Sequence, residues 1–329
     1  MKKFFALACA AVLATACDDG DISFNEFNLE PGDAVNCPES NIYYRVDGTQ
    51  AYILELSPSN LIPEIDDNGQ FIVREVNLAA GDLIYRAYSS DVPAGAGSFF
   101  CSDIPPTSPN VTEQWEGTGT ITIFTDDNVN ADGKLTGYSH TITLQNVTFT
   151  RGESSIVVQN RTFGDIVTTL GIGFNFTTTE QTSVQGCDEN GLVYRISGRE
   201  AVVMDFPANV FDNTDGDINT IDLSSAEDAF ELYLEYYSGN ATESNICSII
   251  DPISPVVQQR WRASAGSVIV ETSESNVTPG TYNHKIWLKN IVFTQTDSNQ
   301  SVRLVDLLTQ EARNALPANG LFIGTYVTN

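Results

Sequence analysis

Positive charge is scarce in this chain: 16 Lys and Arg stand against 43 Asp and Glu, a formal net charge of −27. A field of that sign repels phosphate backbones and anionic head groups, so no nucleic acid is expected among its partners. Histidine is scarcer still, with only His140 and His284 in 329 residues. None of the cysteines forms a CxxC pair, which argues against zinc. The signatures G-x-S-x-G, H-E-x-x-H and G-x-x-x-x-G-K-[ST] are missing, and "GIGFNF" at 171–176 is an incomplete, strand-like G-x-G-x-x-G. Beyond residue 16 no run approaches 18 apolar residues, so no further segment is expected to span a membrane as a helix. With 41% hydrophobic residues the chain still has ample material for packed cores.

What is present starts at the N-terminus. Lys2 and Lys3 precede an apolar run from Phe4 to Ala16, too short to span a bilayer and suited to a secretory signal. The run ends in "LATAC", small residues directly before Cys17. This resembles the lipobox of bacterial lipoproteins, although Ala14 stands where that family usually has Leu and Leu13 lies one step back. The resemblance implies a signal peptide over 1–16, lipid on Cys17 and a tether over 17–20. The acidic run "CDDGD" resembles signals that send such lipoproteins to the cell surface. Together they imply an exported protein, lipid-anchored at the outer membrane or cell surface, with the membrane as a partner through its anchor. Without Cys9 and Cys17 four cysteines remain, an even number that suggests two disulfides in an exported chain.

The chain is one unit written twice. "CSDIPPTSPNVTEQW" at 101–115 matches "CSIIDPISPVVQQRW" at 247–261 without a gap. "YYRVDGTQA" at 43–51 matches "VYRISGREA" at 193–201, and "GYSHTITLQNVTFT" at 137–150 matches "TYNHKIWLKNIVFT" at 281–294. Two tandem homologous domains follow, 21–170 and 171–329, each large enough to bury a core. Respecting the duplication leaves one pairing of the cysteines, Cys37–Cys101 with Cys187–Cys247. Short Val/Ile/Thr-rich runs between Gly, Pro, Asn and Asp clusters predict an all-β chain of two β-sandwiches. "FELYLEY" at 230–236 alternates with period two and reads as a strand, whereas "VRLVDLLTQEARNAL" at 302–316 reads as a helix.

The duplication also sorts the candidate sites. His140 and His284 share a face with Ile142 and Leu144, and with Ile286 and Leu288, so both read as buried structural residues. Trp115 and Trp261 read as core, Arg45 and Arg195 as ion-paired, and the P-x-S-P loops as turns. "NVNADG" at 128–133 and "NTDGDINTID" at 213–222 are acidic loops; the second resembles a calcium loop of the dockerin or EF-hand kind. Asn213, Asp215, Asp217, Asn219 and Asp222 would be its ligands, but Phe211 stands where the first Asp belongs and the closing Glu is missing. Calcium is therefore the one cofactor worth testing. Trp287 between Lys285 and Lys289 replaces Thr143 between Thr141 and Gln145 of the first copy, which makes it a candidate platform for a sugar ring. These readings lead to a non-enzymatic binding or structural module whose partner is a glycan or an envelope protein. The alternative is a carboxylate-based glycoside hydrolase of the cell surface.

Overall fold

A computed structural model describes residues 32–329 except 39, 67–69, 94, 177–178, 180, 189–190, 208, 224–229, 249, 251 and 299. The signal segment, Cys17 and the tether lie outside the described residues.

The period-two runs fold as strands in two sheets. The first is a meander of β1 (Val35–Asn36), β2 (Ile42–Asp47), β3 (Gln50–Glu55), β4 (Arg74–Tyr88), β5 (Val111–Val129), β6 (Leu135–Arg151) and β7 (Ser154–Thr169), each antiparallel to the next. The second contains β8 (Gln185–Gly186), β9 (Val193–Ser197), β10 (Glu200–Asp205), β11 (Ile218–Asp222), β12 (Glu231–Tyr237), β13 (Val257–Glu274), β14 (Tyr282–Gln295), β15 (Ser301–Arg303) and β16 (Leu321–Thr328). Its spine runs β8-β9-β10-β12-β13-β14, with β11 on β13 and both β15 and β16 on β14. The molecule is all-β, two sheets for two repeats.

A meander leaves unpaired N–H and C=O groups along its first and last strands. Here the two ends of each sheet meet. Asp33 pairs in parallel with Asp165, and the Ala34 N–H donates to the Asp165 carbonyl at 2.9 Å. In the second sheet Ser183 pairs in parallel with Thr325, with bonds from the Val184 N–H to the Thr325 carbonyl and from the Thr325 N–H to the Thr182 carbonyl. Each unit is thus a sandwich-like sheet curled until one seam closes it.

Both seams use the same device. The Arg45 guanidinium donates to the Phe163 carbonyl at 2.9 Å, and Arg195 donates to the Ile323 carbonyl at 2.9 Å. For Arg45 this corrects the expected ion pair: a cation that crosses an apolar interior can be satisfied by a carbonyl, without a second buried charge. The next residue is glycine in both copies, Gly164 at φ 156° and Gly324 at φ 151°. A Cβ at Gly164 would lie 2.7 Å from the Gly32 oxygen, and one at Gly324 would lie 2.9 Å from Val184 Cγ1. The glycines let the chain's entering segment approach the last strand.

A second, smaller cluster lies outside each sheet. Residues 89–93 and 95–110 fold back with α1 (Gly97–Phe100) and bury Phe99 and Phe100 against Tyr44, Ala51 and Tyr88. The counterpart carries α2 (Glu243–Cys247) and buries Ile246 with Tyr194, Ala201 and Tyr237. Disulfides Cys37–Cys101 and Cys187–Cys247 pin these excursions, the pairing that the duplication requires. Cis peptides at Ser108–Pro109 and Ser254–Pro255 turn both P-x-S-P loops alike. Two disulfides fit an oxidising, extracytoplasmic compartment. No helix among the described residues is long and apolar enough to cross a membrane.

Near the C-terminus the structure departs from expectation. Instead of one helix over 302–316 there is a 3-10 turn at Leu304–Leu307 and then the short α3 (Gln310–Asn314). Leu304, Leu307 and Leu308 are all buried, and Leu308 and Thr309 are extended at ψ 153° and 156°. Anchoring adjacent leucines in the core overrides local helix propensity. The expected strand at 230–236 is present as β12, with Leu232 and Leu234 fully buried on its inner face and Tyr237, next to a bulge at Tyr236/Tyr237, buried in the outer cluster.

We expect Gly164→Ala and Gly324→Ala each to cost about 2 kcal/mol, read as a lower urea midpoint at an unchanged slope. A loss below about 0.5 kcal/mol in both would show that the seams are not tight.

Candidate functional site

The repeats meet through apolar packing. Leu135 and Tyr138 of β6, followed by Leu170, Ile172, Phe174 and Phe176 of the connector, belong to one buried cluster with Val202, Leu234, Trp261 and Phe293 of the second sheet. The hairpin before β6 is set by Asn130, whose side-chain oxygen accepts the N–H groups of Asp132 and Lys134. Its tip docks on the second repeat, where the Gln310 N–H donates to the Asp132 carbonyl and Arg313 donates to the Gly133 carbonyl.

Beside this contact lies an open cleft of about 760 Å³, lined by Asn130 and Lys134 of the first repeat, Asn175 of the connector, and Arg199, Glu200 and Tyr236 of the second. Glu200 is only 3% exposed and accepts from the backbone N–H of Asn175 at 2.8 Å and its side-chain amide at 2.6 Å. Lys134 donates to the Asn175 side-chain oxygen at 2.9 Å and to the Phe174 carbonyl at 3.3 Å. Burial pushes the Lys134 ammonium pKa down, and the negative charge of Glu200 opposes that shift. Arg199 lies 4.6 Å from the Tyr236 ring centre, held by bonds to the Tyr237 carbonyl and the Gln258 side chain.

This corner is where the copies part. In register Glu200 faces Tyr236, and the same place in the first sheet pairs Gln50 with Ala87. Thr49, Gln50 and Ala87 of the first copy thus become Arg199, Glu200 and Tyr236 of the second. The Gln50 side-chain oxygen is buried with no hydrogen-bond partner among the described residues. The signal stood in the sequence as "GTQA" against "GREA", but nothing there told that this turn faces the other repeat.

The residues singled out from the sequence lie elsewhere. His140 and His284 are fully buried. His140 joins Thr125 through Nδ1 at 3.0 Å and Thr168 through Nε2 at 2.9 Å; His284 joins Thr272 and Thr328 at 2.9 and 2.8 Å. Burial pushes His140 down to about 4 and lowers His284 as well, so each ring is neutral at pH 7. Both nitrogens of each ring are bonded inside the protein. Trp261 is core, but Trp115 is only half-buried, with the Arg151 guanidinium 5.5 Å over its ring. The core reading of Trp115 is corrected: the cation replaces packing on its outer side.

The acidic loop does not converge. The Asn213 side-chain oxygen accepts from Thr328, Asp215 accepts from the Glu274 N–H, Asp217 accepts from Asn219, and Asp222 pairs with Ser267 in the strand ladder. Phe211, at the place of a first calcium ligand, packs against Phe206, His284 and Tyr326. Among the described residues no three His, Cys, Asp or Glu are grouped to hold a metal ion.

Trp287 is half-buried between Ile269 and Phe322 in register, its ring 5.0 Å from that of Phe322 and its indole N–H donating to Glu271 at 3.1 Å. Lys285 is exposed and Lys289 half-buried beside it. One side of the platform is occupied by Phe322. Compared with family models, curated proteins and solved structures, the chain matches none.

The histidines give a pH test. A buried ring that stays neutral binds fewer protons than in the unfolded chain. Its contribution is therefore full above about pH 6.5 and is lost as pH falls toward 4, by at most about 3 kcal/mol. Comparing wild type with His140→Asn, the stability gap should widen from pH 4 to 6.5 and stay flat above 7; a constant gap would refute the neutral-ring account.

For Trp287→Ala we expect a loss of about 2–3 kcal/mol in urea unfolding with glycan binding unchanged. Lost binding at an unchanged melting temperature would restore the platform.

Proposed function

We propose that the chain is an exported, lipid-anchored lipoprotein of the cell envelope that works as a non-catalytic binding module and takes a glycan in the cleft between its repeats. The cleft carries this reading. Its volume lies within the usual range of ligand sites, and amides, one aromatic ring and two cations converge on it. Its lining supplies one carboxylate, Glu200, with both oxygens engaged by Asn175, where glycoside hydrolysis uses two carboxyl groups. The lipobox-like "LATAC" and the acidic run after Cys17 support the anchor and the outer-membrane or surface address. The paired cysteines support export. A glycan array probed with the mature protein in detergent, with and without calcium, tests the module: reproducible binding is expected, and a blank array in both conditions would overturn the glycan.

The anchor has its own test. Cys17→Ser should move the protein from the membrane fraction to the soluble fraction, and mass spectrometry of the wild type should find lipid on Cys17. An unmodified Cys17, or a mutant that stays membrane-bound, would overturn the anchor.

A further inference from the structure

The charge inside the junction cleft is opposite to that of the molecule around it. At physiological salt the Debye length is about 8 Å, so a ligand within the cleft responds mainly to the groups that line it. These are Lys134, Arg199 and Glu200. Glu200 is buried and already accepts two hydrogen bonds from Asn175. The two cations differ from it in being accessible: Lys134 is half-buried and Arg199 is exposed. The hydrogen bonds of Arg199, to the Tyr237 carbonyl and the Gln258 side chain, use two of the five N–H donors of a guanidinium. These two bonds and the Tyr236 ring 4.6 Å from its carbon already hold the guanidinium, so little side-chain freedom remains to be lost on binding. A planar, pre-set fork with free donors matches a carboxylate. The amides of Asn130, Asn175 and Asn240 around it match hydroxyl groups.

We infer that the cleft recognises an acidic sugar, a pyranose bearing a carboxylate, with Arg199 and Lys134 meeting the carboxylate and the asparagine amides meeting the hydroxyls. The inference rests on the binding-module reading and names its ligand class. It also accounts for the divergence of the copies, because Arg199 and Tyr236 stand where the first repeat has Thr49 and Ala87. A competing role for the same residues is a latch: Lys134, Asn175 and Glu200 form a chain of contacts from one repeat to the other. The latch explains Glu200 and Lys134. It does not need Arg199 or Tyr236, whose bonds and ring contact stay within the second repeat.

Arg199 is therefore the residue to test. The probes are uronic-acid oligosaccharides of the galacturonate, glucuronate and mannuronate types, each beside its methyl ester, which keeps the ring and removes the charge. Titrated into the mature protein in detergent, at least one acid should bind, with its ester weaker by about tenfold or more. Arg199→Ala should weaken the acid by about the same factor without moving the melting temperature, and Arg199→Lys should recover part of the loss. Equal binding of acid and ester, or acid binding indifferent to Arg199→Ala, would overturn the inference. Binding of neutral glycans alone would overturn it while leaving the module standing. No binding to any glycan would remove both.

Discussion

Closing each sheet upon its own last strand is the constraint from which the rest of this structure follows. The last strand of each unit is gripped from two sides. An arginine from the second strand of the first sheet, or from β9 of the second, donates to the carbonyl just before the seam glycine. A histidine from the preceding long strand bonds a threonine further along, Thr168 on β7 or Thr328 on β16. Each histidine also holds a threonine on the strand to its other side, Thr125 or Thr272, so three neighbouring strands are tied by one buried ring. Buried polar groups are costly when unpaired, and full pairing makes them specify one register rather than several. This explains why they occur in both copies: each set holds the register of its own sheet.

A duplicated fold does not imply a duplicated site. Each repeat has its own seam, its own disulfide-pinned excursion and its own histidine, but the chain has a single boundary between repeats. At that boundary the hairpin of the first unit and the β9–β10 turn of the second meet across a connector, and their side chains are free to diverge from their counterparts. The packing under them is firm. Leu135 and Tyr138 are 3% exposed within a cluster made mainly by the second sheet. Sites on such supported turns hold their groups more closely than sites on free loops, because neighbouring packing fixes the rotamers.

What could be read from the sequence was what is local or repeated. Period two gave β12 despite its helix-forming residues, and parity placed His140 with Ile142 and Leu144. The duplication alone selected the cysteine pairing. What could not be read depends on how distant segments meet. The helix expected over 302–316 failed because Leu304, Leu307 and Leu308 answer to the core and not to a helical face. The arginine partners are carbonyls more than a hundred residues away, and a carbonyl carries no signature in a sequence. Trp115 and Trp261 are aligned, yet only one is buried, because the second indole is covered by the junction cluster and the first is not. The cleft shared this limit. Its residues were visible as a local difference between copies, and its facing hairpin was not.

The scarcity of cations takes on meaning at this point. Without Lys2 and Lys3 the chain has 14 basic residues, and several stand where strands or repeats must be joined. Arg45 and Arg195 close the seams, and Lys134 and Arg313 meet the other repeat or the connector. An excess of carboxylates repels itself across the surface and loosens a compact state, most strongly at low ionic strength. Placing cations at the joins puts attraction where the fold has the fewest strand-to-strand hydrogen bonds to rely on. Arg199 is exposed over the Tyr236 ring, and its bonds to the Tyr237 carbonyl and the Gln258 side chain tie the β9–β10 turn to its own sheet rather than to the first repeat. In a chain that uses positive charge so sparingly, a cation that lines a cleft with donors beyond those its own sheet engages is the group on which recognition of an acidic ligand would turn.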